Sequence, residues 1–113
     1  MSDLENKRCL PCEGGVEALD EAAVKKHLAA LPGNWIVNDE YTKIQRSFEF
    51  KNYYHTMAFV NAMAWMAHHE NHHPDLEVSY NRVVVNYQTH AINGLSINDF
   101  ICASKIERIF NCQ

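Results

Sequence analysis

Seven histidines stand in a chain of 113 residues, and four of them fall between His68 and His73. An imidazole titrates near pH 6.5, so close to neutrality it can accept or give a proton, and when neutral it can also hold a metal. The run His69-Glu70-Asn71-His72-His73 satisfies the H-E-x-x-H pattern, in which two histidines a helical turn apart bind zinc and the glutamate acts as base. That chemistry needs both ligands on one helical face. Here the second histidine directly precedes Pro74, and the residue before a proline is steered out of helical geometry. A blander reading of His68 and His69 is a polar helix terminus, where an imidazolium is favoured by roughly 0.3–1 kcal/mol.

Cys9 and Cys12 form a CxxC. A structural zinc site would need two further ligands at a recognisable spacing, and no second CxxC or CxxH follows. The pair is therefore expected to be reduced thiols on a loose arm. Cys102 and Cys112 lie on or near the last helix, and 47% hydrophobic residues are enough for one core without a disulfide framework.

The elements that must position these groups can be read from periodicity. Residues 1–17 hold Pro11, Gly14 and Gly15 with no sustained period and read as a flexible N-terminal arm; residues 18–113 read as one domain. Asp20 can cap a helix with Val24, Leu28 and Leu31 on one stripe, stopped by Pro32-Gly33. Trp35 to Val37, a turn at Asn38-Asp39-Glu40, and Thr42 to Phe50 make a hairpin. A long helix follows from Tyr53 to about Asn71, with Phe59, Met63 and Met66 on one face and Ala62 and Trp65 widening it, which predicts cover on more than one side. Leu76, Val78 and Tyr80 alternate, Asn81-Arg82 turns, and Val83 to His90 returns as a strand with Val83, Val85, Tyr87 and Thr89 facing one way. Tyr80 reads as a core or cross-strand aromatic. Ser96 can cap a last helix carrying Ile97, Phe100, Ile101, Ile106, Ile109 and Phe110.

The order helix, two strands, helix, two strands, helix favours an α+β domain with helices on one face of an antiparallel sheet. Unpaired edges on so small a sheet predict a homodimer or homotetramer. The net charge of -4 and the lack of a Lys/Arg run argue against direct nucleic-acid binding. No stretch is long and apolar enough for a membrane span, and the polar start lacks the middle of a secretory signal, so a cytoplasmic location is expected.

His68, His72-His73-Pro74-Asp75, Tyr80-Asn81-Arg82-Val83, Thr89-His90, Gly94-Leu95-Ser96 and Asn98-Asp99 together resemble the signature of the pterin-4a-carbinolamine dehydratases, across roughly Leu19 to Ile109. Leu76 stands where an aromatic is familiar in the animal-type pattern, and His68 where an acidic residue is common. The resemblance implies a four-stranded antiparallel sheet with three helices packed on one side. It also implies dehydration of a 4a-hydroxytetrahydropterin to a quinonoid dihydropterin and water, supporting tetrahydropterin recycling, without cofactor or metal. Expelling hydroxide from C4a while N5 loses a proton calls for an acid and a base. By this resemblance His72 and His90 are the acid–base pair, His73 binds the pterin and assists, and Asn71, Gln88 and Thr89 adjoin the ring. Asp99 either caps the last helix through Ser96-Ile97-Asn98-Asp99 or orients a histidine. Members of the family can also act as dimerisation cofactors for a transcription factor, a role that would use the outer face of the long helix.

Overall fold

The computed structural model describes residues 4–10 and 17–112. Helix α1 (Glu21–Ala30) begins where the Asp20 carboxylate accepts the Ala23 amide at 2.8 Å, and it buries Val24 completely. Leu31 closes it, its N–H donating to Leu28 O, and Pro32-Gly33 follow, with Gly33 at φ +81°. A side chain at Gly33 would also meet Arg46 and Glu107, which sit 2.6 Å from where its Cβ would be.

Strands β1 (Ile36–Val37) and β2 (Ile44–Glu49) form the first hairpin. Asn38 organises its turn: its side-chain oxygen accepts the amides of Thr42 and Lys43, at 2.8 and 3.0 Å. Asn52 then caps α2 (Tyr53–Glu70) by accepting the His55 amide at 3.0 Å. Strands β3 (Asp75–Val78) and β4 (Arg82–Tyr87) make the second hairpin, and α3 (Ile97–Asn111) closes the chain.

All strand pairs are antiparallel, in the order β1-β2-β4-β3. The chain is thus α+β, three helices with a four-stranded antiparallel sheet, as the sequence predicts. Because β4 lies between β2 and β3, it is the strand with two partners, and Val83, Val85 and Tyr87 are fully buried on it. Their face continues through Ile44 and Phe48 of β2 and packs on Phe59 and Met63 of α2 and on Phe100, Ile101 and Ile106 of α3. The opposite face carries the polar residues Gln45, Ser47, Glu49, Asp75, Glu77 and Asn86 around one buried apolar residue, Val84.

Three expectations are corrected. Residues 4–10, read as part of a loose arm, are packed: Leu4 is buried in the core, and Leu4–Asn6 form a 3-10 turn against α3. Cys12 lies outside the described residues. β4 stops at Tyr87 rather than His90, since Thr89 pairs with Gly94 and His90–Ile92 turn as a 3-10 helix ending at Asn93, whose φ is +50°. Tyr80 is exposed and stacks on Tyr53 rather than entering the core. Ala62 and Trp65 face outward within a single chain, so cover on a second side of α2 is not supplied by the chain itself.

Candidate active site

α2 ends because Asn71 adopts a left-handed conformation, φ 52° and ψ 41°, with its N–H returning to the carbonyls of Ala67 and His68. Asparagine tolerates this geometry better than other residues with a Cβ. The reversal turns His72 inward, and its amide donates to Ala67 O at 3.1 Å. Pro74 then keeps the chain extended into β3. Neighbouring histidines consequently separate, His72 buried at 6% exposure and His73 on the surface.

Inside, His72 Nε2 lies 2.6 Å from Asp99 Oδ1. The other carboxylate oxygen of Asp99 accepts the Ser96 amide at 2.9 Å and the Thr89 hydroxyl at 2.8 Å, while the Thr89 and Ser96 hydroxyls meet at 2.8 Å. Asp99 therefore performs both roles considered for it, closing the capping box of α3 and holding an imidazole. Tyr87 completes the enclosure: its ring lies nearly parallel to that of His72, 5.1 Å between centroids, and its hydroxyl donates to His72 O at 3.1 Å. Burial, and then the nearby Cys102 thiol, push the Tyr87 phenol well above its ordinary range, so it stays a proton donor.

Outside, His90 is carried by the 3-10 turn that leaves β4. Its Nε2 lies 3.9 Å from Asp75 Oδ2, both side chains being more than two-thirds exposed. Asp75 pairs in register with Asn86, which places it on the helix-free face of the sheet. Gln88 is half-buried between Tyr87 and Thr89. The fold thus joins His72, Asp99, Thr89 and Ser96 in one buried network and sets His90 beside Asp75 at the surface. Thr89, expected to adjoin a ligand, spends its hydroxyl on Asp99 and Ser96 and is buried, so its side chain supports the site from within. Tyr87 and Asp75 were missed by the sequence reading; the alternation that puts Tyr87 and Thr89 on one face of β4 was the available signal for the first.

The H-E-x-x-H pattern does not form one helical face. The helix ends before its second histidine, and His69 packs edge-on against Trp65 at 4.6 Å. Glu70 accepts the Cys9 amide at 2.7 Å and lies 3.8 Å from Lys105 Nζ. Among the described residues no group of three or more His, Cys, Asp or Glu side chains is arranged to hold a metal ion. A groove of about 540 Å³ between α2 and α3 is lined by His55, Ala58, Ala62, Arg108, Ile109 and Cys112, at the far end of both helices from His72 and Asp99.

The chain is thus an α+β domain with one histidine, His72, held by a buried carboxylate, and with His73 and His90 exposed. The family model for pterin 4 alpha carbinolamine dehydratase matches residues 17–109. A Nitrosomonas europaea protein carrying the provisional name pterin-4-alpha-carbinolamine dehydratase is 54% identical over 110 residues, 97% of this chain and 96% of its own. A protein of Legionella pneumophila with the same provisional name is 54% identical over 108 residues, 96% of each chain. The crystal structure of a transcriptional coactivator/pterin dehydratase from Brucella melitensis superposes with a TM-score of 0.78 at 35% identity, covering 82% of this chain and 98% of that one. This chain belongs to the pterin-4a-carbinolamine dehydratase family. No helix among its described residues is long and apolar enough to cross a membrane.

Proposed function

We propose that the chain is a hydro-lyase that dehydrates a 4a-hydroxytetrahydropterin to the quinonoid dihydropterin and water, serving tetrahydropterin recycling. Hydroxide leaves C4a and takes up a proton, while N5 gives one up, so the reaction returns its acid and base to their starting balance. His72 and His90 are the acid–base groups in this reading, and His73, with Asn71 and Gln88, holds the pterin.

The observation that carries the reading is the His72–Asp99 pair with its Thr89 and Ser96 partners, 2.6 to 2.9 Å throughout. A carboxylate on one ring nitrogen fixes the plane and tautomer of an imidazole, which is how proton transfer is commonly oriented. A fold that uses the end of β4 and the start of α3 to hold one histidine, and leaves His73 and His90 exposed, supports acid–base chemistry on a small molecule. The deciding experiment follows absorbance as a freshly generated 4a-hydroxytetrahydropterin dehydrates, comparing wild type with His90→Ala before and after a chelator. Chelator-resistant acceleration that falls about 10²–10⁴-fold in His90→Ala is expected. No acceleration over buffer overturns the reading, and loss of acceleration on chelation returns zinc to consideration.

Self-association as a dimer or tetramer accompanies this reading. The outer face of α2 leaves Tyr54 85% and Trp65 67% exposed, and β3 has an open backbone edge. The same α2 face would serve a protein partner if the coactivator role named for the Brucella structure extends to this chain. Light scattering of wild type and a Tyr54→Glu, Trp65→Glu double variant reads the point: a monomeric variant supports association through α2, and an unchanged mass excludes it.

A further inference from the structure

The packed N-terminal segment lies directly behind the buried pair. Leu10 and Asn98 exchange two hydrogen bonds, from the Leu10 amide to Asn98 Oδ1 at 2.8 Å and from Asn98 Nδ2 to Leu10 O at 2.7 Å. The Cys9 amide donates to Glu70 Oε1 at 2.7 Å, and Lys105 Nζ donates to Glu5 O at 2.8 Å. The segment is thereby tied to the residue preceding Asp99 and to the last residue of α2, two before His72.

At the centre of these ties the thiols of Cys9 and Cys102 meet, Sγ to Sγ 3.4 Å, and the Cys9 thiol also lies 3.7 Å from Asn98 O. Cys102 is completely buried on α3, one turn beyond Asn98, and Cys9 is half-buried. An S–S bond is about 2.05 Å, so bonding requires the two sulfurs to close by roughly 1.3 Å. Neither thiol takes part in the proton-transfer chemistry proposed above. The mutual hydrogen bond, and then burial, push the Cys9 thiol well above its ordinary range, so at rest Cys9 stays protonated and slow to react.

We infer that Cys9 and Cys102 are a reversible redox modification site, closed to a disulfide by a peroxide, that fastens the N-terminal segment to α3 behind His72 and Asp99. The more accessible Cys9 reacts first: its sulfur takes one peroxide oxygen to become a sulfenic acid, and one water leaves. Cys102 sulfur then attacks Cys9 sulfur, the S–O bond breaks, and the oxygen departs with the two remaining protons as a second water. Two thiols are oxidised by two electrons in all, and one peroxide is reduced to two waters. A dithiol reductant reverses the bond by exchange. The resulting cross-link spans 93 positions of sequence, a long loop whose closure restricts the unfolded chain strongly.

The test uses the full chain with Cys112→Ser, which removes the exposed thiol and with it intermolecular disulfides. Protein treated with hydrogen peroxide and then alkylated is digested without reduction and analysed by mass spectrometry. Cys9 and Cys12 share one tryptic peptide, so the digest is repeated in Cys12→Ser and in Cys9→Ser. The expected result is a peptide linked to the one bearing Cys102, 2 mass units lighter than the two peptides together with Cys9 and Cys102 as thiols and Cys12 alkylated, retained in Cys12→Ser without the alkyl group and absent in Cys9→Ser. The Tm should rise by roughly 5 °C or more on oxidation and fall back with dithiothreitol. An internal Cys9–Cys12 bond with Cys102 alkylated, a link that survives Cys9→Ser, or free alkylated thiols throughout would each overturn the inference. None of these readouts depends on pterin turnover.

Discussion

His72 and His73 are adjacent in the chain and opposite in circumstance. His72 is buried, stacked on Tyr87 and held by Asp99, whereas His73 is exposed, and His90 is 72% exposed beside an equally open Asp75. Asn71 and Pro74 make the difference, one reversing the chain at the end of α2 and the other preventing its return to helix. The contrast shows that a cluster of like residues in sequence need not act as a cluster in space. In the proposed function the inner histidine would bear on folding as well as chemistry, while an outer one would serve chemistry alone.

That division can be broken by substitution, and the largest effect is expected at the rim. His90→Ala should lower pterin dehydration about 10²–10⁴-fold while urea unfolding shifts by less than about 0.5 kcal/mol, because its side chain is open to water. A large loss of stability there would erase the distinction between inner and outer histidines. Asp99→Ala comes next. It leaves the His72 ring, the Thr89 hydroxyl and the Ser96 amide without their shared acceptor, and should cost about 2–4 kcal/mol in urea unfolding. If stability is unchanged, the network is not holding the inner histidine.

Thr89→Val sharpens the comparison, since it removes one donor to Asp99 and keeps the shape. About 1–2 kcal/mol of destabilisation is expected, with a smaller loss of activity than in His90→Ala, provided the side chain supports the site rather than touching substrate. The smallest effect belongs to Asp75→Asn. An exposed pair 3.9 Å apart contributes little, and thermal unfolding should be unchanged within about 0.5 kcal/mol. Whether the pH profile of dehydration moves in that variant tells whether Asp75 bears on His90 during turnover.

Much of this architecture was legible before any coordinates. Asp20 and Ser96 are capping residues at helix starts, and the alternation of Val83, Val85 and Tyr87 marks the buried face of β4, because both signals are local. The N-terminal segment was not legible. Its Pro and Gly content suggests a loose arm, yet the Leu4–Asn6 turn packs on α3 and Cys9 meets Cys102 there. The end of β4 was misplaced for a similar reason: continued alternation through His90 looks like strand, but Asn93 turns the chain and Gly94 returns to pair with Thr89.

The sequence alone determined the order of elements, the supply of histidines at the end of the long helix and after the last strand, and the family to which their spacing corresponds. Tertiary structure decided what those residues meet. Asp99 lies 27 positions from His72, and Cys102 lies 93 from Cys9. Periodicity and capping act over one or two turns and are written in neighbouring residues, whereas the pairing of a buried polar group depends on which distant element packs above it and satisfies it there.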